Sequence, residues 1–153
     1  MTIRIETSSW GRIEVQEEQI IQFNKGIPGF EEETQFAIIP YGDNNPFSMM
    51  QSIKEPQLSF LVVNPFTLEP NYEFELPDHE SSELKIENNV SILCIVTLQA
   101  SLRESSINLL APIVINPVTN QGKQIVLHDT EYATRHKLSE LSEAKQLLAK
   151  EGE

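Results

Sequence analysis

The 153-residue sequence predicts an all-β fold, an antiparallel β-barrel-like or sandwich domain with short helical turns and a C-terminal helix. Three observations carry that prediction. Apolar residues recur at every second position in short runs. Turn residues interrupt those runs often, nine prolines and six glycines among them. No strand–helix–strand alternation of the kind that builds a parallel sheet appears.

Taken in order, Ile3 and Ile5 alternate with Arg4 and Glu6, and Ile13 and Val15 with Arg12 and Glu14. That is the period of strands wet on one face, and Ser9, Trp10 and Gly11 supply the turn between them. Short apolar runs follow at 19–23 (QIIQF), 35–40 (QFAIIP), 47–53 (FSMMQSI) and 58–65 (LSFLVVNP). Three Asn-Pro steps, at Asn45, Asn64 and Asn116, are expected to end apolar runs. Proline has no N–H to donate and disfavours helical backbone in the residue before it.

The run YEFEL (72–76) sends Tyr72, Phe74 and Leu76 one way and Glu73 and Glu75 the other, which predicts a strand with one acidic, solvated face. VSILCIVTL (90–98) places Val90, Ile92, Cys94, Val96 and Leu98 on one face and Leu93 and Ile95 on the other. It predicts a central strand covered on both sides. Residues 108–127, NLLAPIVINPVTNQGKQIVL, hold two apolar runs joined by a polar connection and read as a hairpin. Asn108 and Pro112 are expected to set the start of its first strand.

Helical signal is confined to 102–110 (LRESSINLL), a turn or two, and to a tail from Ser139. In that tail Leu138, Leu141, Lys145 and Leu148 share a face, Leu147 adjoins it, and Glu140 and Glu143 sit near the start, where the helix dipole favours acids. The expected organisation is one barrel domain over 1–138 and a helical tail over 139–153.

Hydrophobic residues are 39 % of the chain and charged residues 22 %, enough apolar material for a core. The formal net charge is −12, from 23 acids against 11 bases. Such a surface repels phosphate backbones, so no direct nucleic-acid ligand is expected and a basic partner is favoured. The N-terminus lacks the pattern of a signal peptide and no run approaches a membrane span, which together with a single cysteine, Cys94, points to the cytoplasm. Cys94 lies in an apolar run, as a buried thiol would.

Candidate chemistry is sparse. His79, His128 and His136 form no spaced metal motif, and no second cysteine accompanies Cys94, so no cofactor is expected. His128-Asp129 could orient an imidazole, yet no nucleophile elbow accompanies it. KGIPG (25–29) lacks the Lys-Ser/Thr of a phosphate loop and reads as a turn. The acids Glu73, Glu75, Asp78, Glu80, Glu83 and Glu87 stand out because Lys85 is the only base among them in sequence.

In order along the chain, FNKGIPGFE (23–31), MQSI (50–53), FLVVNP (60–65), NLLAPIVIN (108–116), GKQIVL (122–127) and Tyr132 with Arg135 resemble the flagellar assembly factor family FliW. The likeness extends to about Leu138. It implies a non-enzymatic protein that binds the translational repressor CsrA, an RNA-binding homodimer, and keeps it from silencing flagellin messenger RNA. It also implies that flagellin occupies the same protein and releases CsrA, so that translation tracks subunit export. For CsrA the resemblance implies binding beside the RNA groove; for flagellin, an amphipathic segment laid in an apolar groove is the expected mode.

Candidate contact residues are Glu73, Glu75, Asp78, Glu80 and Glu83, with Phe30 beside the GIPG turn. A wet acidic edge also discourages a strand from pairing with its own copy, and Phe30 also fits a core position. Tyr132 and Arg135 are expected to close the barrel end. The competing reading is a small-ligand-binding β-barrel, in which the interior does the work. A hydrolase would need His128 near a serine or carboxylate in a cleft.

Overall fold

The computed structural model describes residues 2–144. An N-terminal hairpin, β1 (Thr2–Thr7) and β2 (Gly11–Gln16), pairs in antiparallel register from Thr2↔Gln16 to Thr7↔Gly11. Gly11 closes its turn at φ +69°, a conformation glycine adopts without strain. Thr7 Oγ1 accepts from Trp10 N–H and donates to Gly11 O, both at 2.9 Å.

Seven strands then form a closed barrel: β3 (Ile20–Gln22), β4 (Gln35–Pro40), β5 (Phe47–Ser52), β6 (Ser59–Val63), β7 (Ser91–Thr97), β9 (Ile113–Asn116) and β10 (Gln121–Gln124). Their order is β7-β6-β5-β4-β3-β10-β9, and β9 returns to β7 through Ser91↔Ile115 and Leu93↔Ile113. Every pairing is antiparallel except β10 on β3, a parallel contact at Gln121↔Gln22. Two short strands, β8 (Ser106–Ile107) and β11 (His136–Lys137), extend the sheet from the far end of β7.

The two faces of each strand bury different material. Inward go Ile21, Phe23, Phe36, Met50, Val62, Ile113 and Ile115, which fill the barrel with side chains. Gly122 faces the same space, where a Cβ would stand 2.9 Å from Ile21 Cγ2 and 3.0 Å from Phe23 Cε1. Outward, β4 is covered by the hairpin through Ile5, Val15 and Ala37. β5 to β7 are covered by a helical turn α1 (Pro65–Leu68), Tyr72, Leu109 and the chain from Leu138 to Ala144. The outside of β9 is covered by Leu84 at the end of α2 (Asp78–Glu83).

The strands predicted at 3–6 and 12–15 and in the runs 19–23, 35–40, 47–53 and 58–65 are present as β1 to β6, the hairpin predicted within 108–127 is β9–β10, and β7 is central with partners on both edges. Four local expectations change. Among the described residues, 72–76 form no ladder: prolines 70 and 77 bracket them, and beyond Tyr72 a bond from Glu73 N–H to the Tyr132 hydroxyl anchors the segment. Val90 and Leu98 lie outside β7 and are exposed, because its ladder spans 91–97 only.

LRESSINLL is helical only over a 3-10 turn, Leu102–Glu104; Ser105 Oγ then takes a hydrogen bond from Gln99 N–H, and Ser106 and Ile107 pair with β7. Asn45-Pro46 stands before β5 instead of ending a run. All three Asn-Pro asparagines act alike, each side-chain oxygen accepting the N–H two residues on, from Phe47, Phe66 and Val118 at 2.9 Å. Asn108 does the same for Leu110 and Ala111 at the start of the β9 segment.

Of the tail, Leu138–Glu140 is a 3-10 turn, and Leu138, Leu141 and Ala144 are buried beside Leu68 and Tyr72. Ser142 Oγ donates to Glu69 Oε2 at 2.6 Å, and Glu143 N–H to Leu68 O at 2.9 Å. The helix predicted through Lys145, Leu147 and Leu148 falls outside the described residues.

Candidate protein-binding site

Among the acids singled out in the sequence, two environments separate. α2 begins after Pro77 with Asp78 and Glu80 in its first turn, where carboxylates suit the helix N-terminus. Its Glu80 side chain is 8 % exposed and meets Lys123 Nζ of β10 at 2.6 Å. Glu83 accepts from the same ammonium at 3.0 Å and lies 3.4 Å from Lys25 Nζ. The hydrogen bond from Lys123 holds the Glu83 carboxyl below the usual carboxylate range, and the bond to Glu80 holds the Lys123 ammonium above the usual lysine range. These two acids fasten the helix to the barrel wall.

Glu73, Glu75 and Asp78 converge elsewhere. They line an open groove of about 710 Å³ together with Phe74, Leu76, Val126, His128, Asp129 and Thr130. The groove thus holds four carboxylates, with Asp129 as the fourth, and among the described residues its lining contains no lysine or arginine. Its floor offers half-buried Phe74 and Leu76, and Val126 is 54 % exposed.

A buried aromatic post supports one wall. Tyr72 Oη donates to Leu109 O at 2.7 Å, its ring lies 4.7 Å from that of Tyr132, and Tyr132 Oη accepts from Glu73 N–H at 3.1 Å. Burial pushes the Tyr72 hydroxyl well above the usual tyrosine range, with neighbouring Cys94 adding to it. It also pushes the Cys94 thiol up to about 12, the Tyr72 hydroxyl acting in the opposite direction. Both are structural members of the core.

Phe30 does not line the groove. The GIPG turn carries Gly26 at φ +67° and Gly29 at φ +90°, and a Cβ on Gly26 would sit 2.5 Å from Glu31 O. Ile27 goes into the barrel, while Phe30 stays 44 % exposed with its ring edge-on to Phe60 at 5.7 Å. Tyr132 joins the outer aromatic layer, and Arg135 lies exposed in a separate hollow with Glu104, Lys137 and Glu140. His128 is exposed in the open acidic groove, whose lining, among the described residues, includes carboxylates but no serine.

Sequence reasoning did not place Asp129, Val126 or Lys123 at the contact surface. Asp129 bears one signal: it follows the apolar GKQIVL run and takes φ +54°, a turn position that asparagine and aspartate tolerate. Lys123 sits 43 and 40 residues from Glu80 and Glu83, the acids it pairs with, and nothing local announces those contacts.

A family model described as FliW protein matches residues 4–138. The chain is 46 % identical over 138 residues to a flagellar assembly factor FliW of Desulfitobacterium hafniense (strain DSM 10664 / DCB-2), covering 89 % of this chain and 91 % of the relative. It is 43 % identical over 134 residues to the flagellar assembly factor FliW of Bacillus subtilis (strain 168), covering 86 % and 94 %. A crystal structure of the flagellar assembly factor FliW superposes with a TM-score of 0.81 at 38 % identity, over 89 % of this chain and 96 % of that one.

Proposed function

This chain belongs to the FliW family, and from that premise we propose that it acts by binding, not by turnover, as a cytoplasmic antagonist of CsrA that flagellin can occupy in turn. The observation that carries the proposal is the groove at Glu73, Glu75, Asp78 and Asp129, whose lining offers four carboxylates, exposed apolar side chains and no compensating base. An RNA-binding protein presents a basic surface, so this groove attracts it at long range and its apolar floor supplies contact area once docked. Glu80 and Glu83 contribute to the same field from the adjoining helix while their charge is partly answered by Lys123 and Lys25. Phe30 forms a second, apolar contact at some remove from the groove.

The small-ligand alternative places function in the barrel interior. That space is occupied by Phe23, Phe36, Met50 and their neighbours, which favours the surface. The test is size-exclusion chromatography of the protein with purified CsrA, followed by monomeric flagellin. The expected result is a co-eluting complex that flagellin dissolves. Absence of a complex with either protein sinks the proposal.

A further inference from the structure

Two segments border the acidic groove, and part of the backbone of each has no partner among the described residues. On one side, Ile125 N–H donates to Pro112 O and Leu127 N–H to Leu110 O, at 2.9 and 2.8 Å. Because successive residues of an extended chain point their N–H and C=O groups to opposite edges, those of Val126 and His128 face away from that ladder. Among the described residues they have no protein partner. On the other side, the N–H groups of Phe74, Glu75 and Leu76 likewise have none. The side chains of that segment alternate exposed and half-buried, as a strand's do.

An edge of unpaired backbone groups is a template for another strand. Here it borders a groove with an apolar floor and an acidic rim, flanked by rigid supports: the Tyr72–Tyr132 post and the Glu80–Lys123 fastening. We infer that the groove takes an extended segment of a partner protein as an added strand on the 126–128 edge, with basic and apolar residues alternating along that segment. Its backbone completes the hydrogen bonding of Val126 and His128. Its basic side chains meet Glu73, Glu75, Asp78 and Asp129, and its apolar ones lie on Phe74 and Leu76.

This rests on the reading that the groove is the partner surface, and adds the mode of binding. A helical segment would satisfy the charge but leave the edge open. A pair of unpaired edges therefore selects extended chain over helix.

The experiment uses the full chain, isotope-labelled, with a blocked heptapeptide alternating valine and lysine, and amide hydrogen exchange read by NMR. Two comparison peptides carry N-methyl groups at alternate backbone nitrogens, or glutamate in place of lysine. Exchange at Val126 and His128 should slow at least tenfold with the lysine peptide and stay unchanged with the other two. Unchanged exchange at a saturating concentration of the lysine peptide would overturn the inference, as would equal binding of the N-methylated peptide, which would mean charge alone. The peptide reports on the strand mode without either full partner. A chain that binds CsrA yet leaves those two amides unprotected in the complex likewise refutes the strand mode and spares the partner assignment.

Discussion

Replacing Lys123 with methionine separates the fastening of α2 from the proposed contact surface. The substitution keeps the stem that crosses β10 and removes the ammonium from Glu80 and Glu83. Among the described residues the side chain left beside the Glu80 carboxylate is the imidazole of His79, 3.8 Å away and 78 % exposed. Stranding one partner of a fully buried pair costs about 3–5 kcal/mol. The cluster is not fully buried, since Lys123 is 25 % and Glu83 36 % exposed although Glu80 is only 8 %, so the loss falls nearer that of a charged hydrogen bond, about 2 kcal/mol.

For a chain of this size that lowers the melting temperature by about 4–8 °C, and it shifts the urea midpoint followed by far-ultraviolet circular dichroism. E80Q combined with K123M should recover part of the loss, because the orphaned charge is gone. Sign follows the shifts: Glu83, held low, adds stability above the ordinary carboxylate pKa and loses it as pH falls through its folded value. Lys123, held high, adds stability below the ordinary lysine pKa and loses it as pH rises through its folded value. The deficit of K123M should therefore be flat between those limits and shrink in acid. A K123M protein within about 0.5 kcal/mol of the parent at neutral pH would refute this account of the helix.

The converse variant, E73K/E75K/D78K, alters exposed groove acids and should leave the melting temperature within about 2 °C. Its association rate with CsrA should fall at least tenfold at low salt and the difference narrow as salt rises, measured by surface kinetics. Gly122→Ala should cost about 1–3 kcal/mol in urea unfolding, because its Cβ crowds Ile21 and Phe23 inside the barrel. Cys94 should resist a thiol reagent at pH 8 in the folded protein and react fully in urea, since burial raises its pKa to about 12.

How far the sequence reaches depends on whether the decisive contact is local. Period-two alternation located the barrel strands, because each strand must put one face into the interior whatever its neighbours are. The β9–β10 hairpin was legible for the same reason. Barrel closure was not: β9 on β7 joins Leu93 to Ile113, and β10 on β3 joins Gln121 to Gln22. Those seams depend on strand order, which turns do not specify. At the site, Glu73, Glu75 and Asp78 stood out as a charge run and do share a groove. That Glu80 turns inward could not be read, since its partner Lys123 lies on a strand forty-three residues away.

The mistaken strand at 72–76 is the more instructive case. Its alternation is real in space: Tyr72 is buried, Phe74 and Leu76 are half-buried, and Glu73 and Glu75 are exposed. What the chain lacks there is a ladder. Side-chain period is set by the surface a segment lies on, whereas a ladder needs a second backbone within hydrogen-bond reach. Within the described chain none is supplied to Phe74, Glu75 or Leu76, nor to the outer edge of Val126 and His128. A sequence shaped for a strand, set beside an unfilled edge and a groove of one charge, has the form of a sheet that another chain completes.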